Sequence, residues 1–196
     1  MYISLIPSNH CLMEWKQGTL DMEVAAELQK PELREWLRTM KDDFAFLGGV
    51  LSVINPAQYE AGVSTVKSIH TCLPQIQKNE NLPELLENWT SPCIGMSLMS
   101  NRDSPLHCDN GASYSSMDML ASVGRYSVGR LSVPGLGLEC SYNSGTVLAF
   151  AGHVIQHGAT SDSEQLCMSF YLRENVLKEL RVSQPDWVHI DSILNF

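Results

Sequence analysis

The sequence predicts an α+β protein in which a helical N-terminal half is followed by an antiparallel jelly roll. Three observations support this fold class. Apolar residues recur at helical spacing until about residue 70, strand-like alternation begins near residue 93, and the later strands are short and separated by Gly, Pro and Ser. Short strands of this kind are typical of a jelly roll, and we expect the helices to pack on its outside.

The first predicted helix begins at Pro31, which suits a first helical turn, and ends at the glycine pair 48–49. The Asn-Pro pair 55–56 opens a second helical stretch, and a shorter helix is expected after Pro83. The apolar stripe is expected to be core rather than a cofactor contact. In the first helix it comprises Leu33, Trp36, Leu37, Met40, Phe44 and Leu47.

Alternating apolar residues predict strands over residues 94–98 and 136–142. The sequence Asn-Ser-Gly at 143–145 predicts a turn, while 146–150 and 166–172 are predicted to be buried strands. In a barrel built from these strands, we expect ligands to bind at the mouth, where the strands end.

The length of 196 residues fits one domain with a sizeable core. We divide 1–196 into helical support (1–91), a jelly-roll core (92–176) and a C-terminal extension (177–196). No apolar run approaches the ~20 residues needed to span a bilayer, and the N-terminus lacks a secretory signal pattern. Six cysteines without CxxC spacing predict reduced thiols and an intracellular protein, nuclear or cytoplasmic.

The charge of the chain gives no support to nucleic-acid binding. The net charge is −9, and residues 101–196 carry six Lys or Arg against ten Asp or Glu. Phosphate neutralisation normally dominates affinity for nucleic acid. A nucleic acid or nucleoside is a possible partner, with Arg102, Arg125 and Arg130 as the nearby candidates for a basic rim. No membrane and no obligate protein partner are indicated.

The most informative motif is His107-Cys108-Asp109, followed by His157 48 residues after Asp109. This spacing is that of the two-histidine, one-carboxylate triad that holds Fe(II) and leaves positions open for a co-substrate and O₂. Residues two apart on a strand point the same way, so His107 and Asp109 can reach one ion. The triad predicts an oxygenase.

A His-x-Asp pair alone is a weak signal. With six His and nine Asp in 196 residues, chance gives about 0.3 such pairs. A second pair, His189 and Asp191, has no later histidine and is interpreted as a surface coincidence. His153, four residues before His157, is expected to have a structural or supporting role.

The residues around the triad resemble a known family. The chain is similar to the fungal branch of the TET/JBP-type 2-oxoglutarate and Fe(II)-dependent dioxygenases over roughly residues 92–176. The order of a strand, His-x-Asp, a loop, a glycine-punctuated strand pair, a turn, a strand and the distal His carries the resemblance. The matching segments are residues 100–102, 107–109, 123–126, 129–134, 142–147 and 152–158.

The resemblance implies a double-stranded β-helix fold and oxidation of methyl groups on nucleobases, notably 5-methylcytosine. It implies Fe(II), 2-oxoglutarate and O₂ as cofactor and co-substrates. The metal ligands carry over to His107, Asp109 and His157, which are also the residues expected to be catalytic.

The co-substrate site departs from the family pattern. The family usually has an arginine at the start of the strand after the distal His, and that position here is Gln165. Glutamine cannot form the bidentate ion pair that a guanidinium gives to a carboxylate. Strand parity places Arg173 on the same face as Gln165. We assign the co-substrate site to Gln165, Arg173, Asn101 and Ser169, with Arg102 and Arg130 as further candidates for the ion pair.

Candidate substrate contacts are Arg102, Tyr126, Arg130 and Tyr142, and Asn101 could also serve there. Three functions remain open at this stage. The chain could oxidise a nucleobase, apply the same chemistry to a small molecule or protein side chain, or be a degenerate metal-binding or interaction module in which Gln165 has abolished co-substrate binding.

Overall fold

Helices and sheets lie mostly in separate units of this chain. The computed structural model describes residues 8–11, 14–15, 22–23, 28, 30–72, 81–101, 103–109, 113–189 and 191. One unit comprises Met1–Asn9 and Met96–Tyr171, and the other comprises His10–Gly95 and Leu172–Phe196. The division of 1–196 into one domain with three parts stays a prediction.

The helical unit contains five described helices. Pro31 opens the first and Pro56 opens the third, as predicted, because proline suits a first turn whose N–H groups have no helical acceptor. The helices are α1 (Pro31–Thr39), α2 (Lys41–Ile54), α3 (Pro56–Cys72), α4 (Leu82–Asn88) and α5 (Glu174–Glu179).

The prediction of one helix ending at residues 48–49 is wrong. The apolar stripe is shared by α1 and α2, which are separated at Met40, and α2 continues through both glycines to Ile54. Gly48 serves close packing instead: a Cβ there would lie 2.9 Å from Cδ of Pro92. Backbone proximity, rather than helix termination, therefore accounts for this glycine.

Aromatic side chains form the centre of the helical unit, as the stripe predicts. Phe44 meets Trp36 and Trp89 edge to face, with ring centroids 5.9 and 5.8 Å apart. The indole Nε1 of Trp89 donates to the carbonyl of Cys93 at 2.8 Å, so its polar group is satisfied within the core. No described helix is both long and apolar enough to cross a membrane.

Two antiparallel sheets confirm the jelly-roll prediction. The five-stranded sheet has the order β1-β4-β11-β6-β9, the four-stranded sheet has the order β5-β10-β7-β8, and β2 pairs with β3 alone. The strands are β1 (Ser8–Cys11), β2 (Glu14–Trp15), β3 (Met22–Glu23), β4 (Gly95–Ser100), β5 (Ser104–His107), β6 (Asp118–Arg125), β7 (Gly129–Val133), β8 (Leu138–Ser141), β9 (Val147–Phe150), β10 (His157–Ser161) and β11 (Glu164–Tyr171).

An apolar core joins residues of both sheets. Leu120 and Cys167 come from the five-stranded sheet, Leu131 and Val133 come from β7, and Tyr142 follows β8. The alternation of strand side chains sends these residues to a common interior. Burial of this cluster fixes the register of the strands, because a slip of one residue would turn each side chain to the other face.

Replacing Gly129 by Ala should destabilise the protein. A Cβ on Gly129 would overlap the carbonyl oxygen of Tyr142 and lie 2.7 Å from Cε2 of Tyr126. The backbone there is also pinned, since Tyr142 N–H donates to the Gly129 carbonyl at 2.7 Å. We expect a loss of about 1–3 kcal/mol in unfolding free energy, measured by urea denaturation. The control is Gly135→Ala, where nothing lies within 4 Å of the added carbon; equal stability of the two variants would contradict the prediction.

Candidate metal centre

Two neighbouring strands position the three predicted metal ligands. His107 is the last residue of β5 and His157 is the first residue of β10, and the two are direct partners in the antiparallel pair. Asp109 lies two residues beyond β5, where its main-chain N–H donates to the carbonyl of Gly152 at 2.9 Å. Both histidines thus lie at strand ends, and Asp109 lies just beyond the end of β5.

The donor atoms of the triad converge on one point. Nε2 of His107 lies 3.3 Å from Oδ1 of Asp109, and Nε2 of His157 lies 3.5 Å from Oδ2 of the same carboxylate. One donor atom from each residue fits within a 4.8 Å span. Two imidazoles and one carboxylate at this spacing suit Fe(II) with open coordination positions.

Backbone carbonyls set the tautomer of both histidines. Nδ1 of His107 lies 2.8 Å from the carbonyl of Pro105, and Nδ1 of His157 lies 2.9 Å from the carbonyl of Ile155. A carbonyl only accepts, so each Nδ1 carries the proton and each Nε2 lone pair is directed to the metal position. Such outer contacts are the usual means of orienting a metal-binding imidazole.

The site is open on one side and closed on the other. The His107 and Asp109 side chains are 41% and 36% exposed, whereas His157 is 3% exposed. The ring of Phe150 meets the His157 ring edge to face at 4.7 Å. A ligand can therefore approach from the His107 side, while Phe150 keeps water from the far side of His157.

A second carboxyl group lies behind the aspartate ligand. A Cβ on Gly152 would come within 2.5 Å of Oδ2 of both Asp109 and Asp118, so a larger residue would force both carboxyl groups to move. Asp118 is 1% exposed and begins β6. Burial raises the pKa of Asp118 to about 8, and the negative charge of the neighbouring Asp109 raises it further. Asp118 is therefore largely protonated near neutral pH in the metal-free protein.

Gln165 belongs to a buried chain of hydrogen bonds. Its Nε2 donates to Oγ of Ser122 at 2.8 Å, Ser122 Oγ lies 2.6 Å from the Tyr126 hydroxyl, and that hydroxyl donates to the Tyr142 carbonyl at 2.8 Å. The Tyr142 hydroxyl lies 3.1 Å from Sγ of Cys167. Every link in this chain is neutral, and the Gln165 amide is engaged in it.

At its Cys167 end this chain responds to the charge of the aspartate ligand. Burial raises the pKa of the Cys167 thiol, the hydrogen bond from Tyr142 lowers it, and the negative charge of Asp109 raises it again. Burial also raises the pKa of Tyr142. Both groups are thus neutral, and both belong to the buried apolar cluster of the jelly-roll interior.

The predicted co-substrate residues Asn101 and Ser169 lie in the same unit. Asn101 has a left-handed backbone (φ 51°), and it is bonded twice to Gln165: its N–H donates to the Gln165 carbonyl, and its Oδ1 accepts the Gln165 N–H, both at 2.8 Å. Ser169 is buried on β11 opposite Leu120. Asn101 therefore fixes the end of β11 at which Gln165 lies.

The two described arginines predicted for the ion pair, Arg130 and Arg173, lie on different elements of the chain. Arg130 forms an ion pair with Glu139 and is exposed on β7. Arg173 precedes α5 and belongs to the helical unit. Arg102 lies outside the described residues. The roles predicted for these residues, and those predicted for Tyr126 and Tyr142 in substrate binding, stay predictions.

Sequence reasoning missed three residues that shape the site. Asp118, Gly152 and Phe150 contact the triad although none was singled out. A signal existed for Asp118, since an acidic residue at the start of the otherwise apolar stretch 118–121 is unusual in a buried strand. The other two depend on contacts between β9, the loop 151–156 and the triad, which no local pattern reveals.

The chain matches the model of one oxygenase family and resembles solved structures. The family model Tet_JBP, the oxygenase domain of the 2OGFeDO superfamily, matches residues 22–174. The structure of NgTET1 in complex with 5mC DNA matches with a TM-score of 0.59 and 14% identity, over 96% of this chain and 67% of that chain. This likeness shows a shared fold. No curated protein matches the chain.

Two further structures show weaker similarity. An RmlC-like cupin protein from Desulfovibrio desulfuricans has a TM-score of 0.31 and 10% identity, over 39% of this chain and 70% of that chain. Ectoine synthase from P. lautus has a TM-score of 0.29 and 16% identity, over 49% of this chain and 66% of that chain.

The Asp118 carboxyl should make the metal-free protein less stable as pH rises. Its folded pKa of about 8 lies above the ordinary value of 3.8, so the folded chain keeps a proton that the unfolded chain releases between these values. Stability from this group is complete below about pH 4 and is lost as pH rises to about 8. Each pKa unit corresponds to about 1.4 kcal/mol.

Asp118→Asn should remove this dependence while keeping the shape of the side chain. We expect the unfolding free energy of the variant, relative to the wild type, to increase from pH 5 to pH 8 by a few kcal/mol. The measurement is urea unfolding of both proteins in the presence of a chelator. A difference between them that is constant across this range would refute the prediction.

Proposed function

Because this chain belongs to the Tet_JBP family of oxygenase domains in the 2OGFeDO superfamily, we propose that it is an Fe(II)- and 2-oxoglutarate-dependent dioxygenase acting on a methyl group of a modified nucleobase. The proposed base is of the 5-methylcytosine type, in DNA or as a nucleoside. The observation that carries the proposal is the triad, whose donor atoms converge with both Nε2 lone pairs directed at one position.

The residues of the triad fit the iron. When bound, iron and its co-substrate supply the oxidation of a C–H bond by O₂. The chain itself would hold the ion through His107, Asp109 and His157. The carbonyls of Pro105 and Ile155 keep the histidine rings in the binding tautomer, which removes the need for reorientation when the metal arrives.

The residue at position 165 does not fit the ion pair that the family uses for the far carboxylate of 2-oxoglutarate. The Gln165 amide donates to Ser122, and the hydrogen-bonded chain beyond it contains no cation. A buried carboxylate without an opposite charge carries a large desolvation penalty. We therefore propose no role for Gln165 in balancing the charge of the co-substrate.

The fold supports a nucleobase substrate, whereas the negative net charge of the chain disfavours a nucleic acid as its carrier. NgTET1 shares the fold and is described in complex with 5mC DNA. The acidic net charge of −9 opposes tight binding of a polyanion. A substrate presented as a nucleoside, or as a base in a single strand, agrees better with this charge than one inside a duplex.

The engaged Gln165 amide favours one alternative, a metal-binding module that no longer uses a co-substrate. Such a module would keep the triad but would form no complex of iron with 2-oxoglutarate. The two functions therefore differ in a property that can be observed without knowing the substrate.

An anaerobic titration distinguishes these functions. We expect the Fe(II)-loaded protein to develop a saturable visible absorption band on addition of 2-oxoglutarate, because the keto acid chelates the iron through open positions. His157→Ala should abolish the band, and His189→Ala, which alters an exposed histidine of the helical unit, should leave it unchanged. Metal binding without a band would establish the non-catalytic module instead.

Gln165→Arg should destabilise the protein rather than complete the family pattern. The new guanidinium would enter a buried chain of neutral partners, and we expect a loss of about 2–5 kcal/mol in unfolding free energy. Gln165→Met, which removes only the hydrogen bond, should cost about 1–3 kcal/mol. Urea denaturation gives both values. A stable Gln165→Arg protein that binds 2-oxoglutarate more tightly than wild type would place the far-carboxylate site at position 165.

A further inference from the structure

The aromatic pair Tyr114 and His153 is connected to the metal centre through Gly152, the residue before His153, and neither ring belongs to the triad. We propose that Tyr114 binds the ring of the substrate by stacking, with His153 as the residue that positions Tyr114. The inference rests on the proposed function and deepens it. It assigns the recognition of a planar heteroaromatic ring to two residues and takes the nucleoside as the form in which the ring arrives.

The backbone connects both residues to the aspartate ligand. Gly152, whose carbonyl accepts the Asp109 N–H at 2.9 Å, is followed directly by His153. Tyr114 follows Asp109 by five residues and packs its ring against His153, with the ring centroids 4.2 Å apart and the planes at 80°. This ring contact thus joins the segment that follows Asp109 to the loop that precedes His157.

Tyr114 presents an aromatic surface to solvent. It is 64% exposed, among the most exposed of the large apolar side chains that the structure describes. Because the contact with His153 is edge to face, it leaves ring surface of Tyr114 free for solvent or a ligand. An open aromatic ring next to a metal centre is suited to stack on a planar ring that is brought there for oxidation.

The described contacts of His153 point to a positioning role. Its Nδ1 is buried and has no hydrogen-bond partner among the described residues, so a hydrogen bond at this atom does not hold the ring in place there. The edge-to-face contact with Tyr114 is the interaction that the structure shows for it. A phenyl ring could make the same contact, whereas a methyl group could not.

The charge of this unit favours a substrate without phosphates. Residues 96–171 contain three basic residues, Arg102, Arg125 and Arg130, against six acidic ones, Asp103, Asp109, Asp118, Glu139, Asp162 and Glu164. Arg130 is already paired with Glu139. Stacking needs no cation, so a nucleoside can bind here where a polyanion would be repelled.

The test is equilibrium binding of 5-methyl-2′-deoxycytidine, measured by calorimetry on the anaerobic Fe(II)-loaded protein. We expect Tyr114→Ala to weaken binding about 5- to 100-fold and Tyr114→Phe to keep it. His153→Ala should weaken binding and His153→Phe should restore it, which a purely structural role of the imidazole would not predict. Leu136→Ala, a control at another exposed side chain of the same unit, should bind as wild type does.

The nucleoside-binding experiment and the 2-oxoglutarate titration test the inference and the proposed function separately. A wild-type band with no binding of the nucleoside, or with equal affinity in Tyr114→Ala, would overturn the inference and leave the proposed function in place. Absence of the band would overturn the proposed function, while the Tyr114 comparison would still decide the ring site. Tighter, salt-dependent binding of a single-stranded oligonucleotide carrying the same base would overturn the choice of the nucleoside.

Discussion

The metal centre depends on the antiparallel pairing of β10 with β5. This pairing sets His157 opposite His107, and a shift of one residue would turn one imidazole to the other face of the sheet. Two residues further along β10, Ala159 packs against the interior cluster, and the register of β10 against β5 shifts between His157 and Ala159. The pairing that places the two imidazoles opposite each other is therefore a local feature of the strand ends.

Gly152 and the Asp118 carboxyl group complete the surroundings of the aspartate ligand. Gly152 allows the loop 151–156 to touch the Asp109 carboxylate, and it gives Asp109 a hydrogen-bond acceptor through its carbonyl. The same glycine admits Asp118, a buried acid that keeps its proton in the metal-free protein and so adds no second negative charge beside Asp109. The protein thus keeps two carboxyl groups together without two buried negative charges, as expected for closely spaced acids.

Local sequence patterns predicted most element types, because these depend on short-range periodicity. The alternation of residues 94–98 marked β4, and the His-x-Asp spacing singled out two residues that the structure places at and just beyond the end of β5. The break at Met40 escaped prediction because the apolar stripe continues on both sides of it. The departure at Gln165 was visible, but its bond to Ser122 follows from the pairing of β11 with β6, a contact between residues 43 positions apart.

The loop 151–156 limits where homologues can gain or lose residues. Its second residue supplies the acceptor for Asp109, and its fifth residue, Ile155, supplies the acceptor for His157. An inserted or deleted residue between them would displace one acceptor and leave a metal ligand in the wrong tautomer. The turn at residues 134–137, where Gly135 and Gly137 face open space, carries no such constraint. Length variation among homologues should therefore accumulate at that turn and spare the loop between the two acceptors.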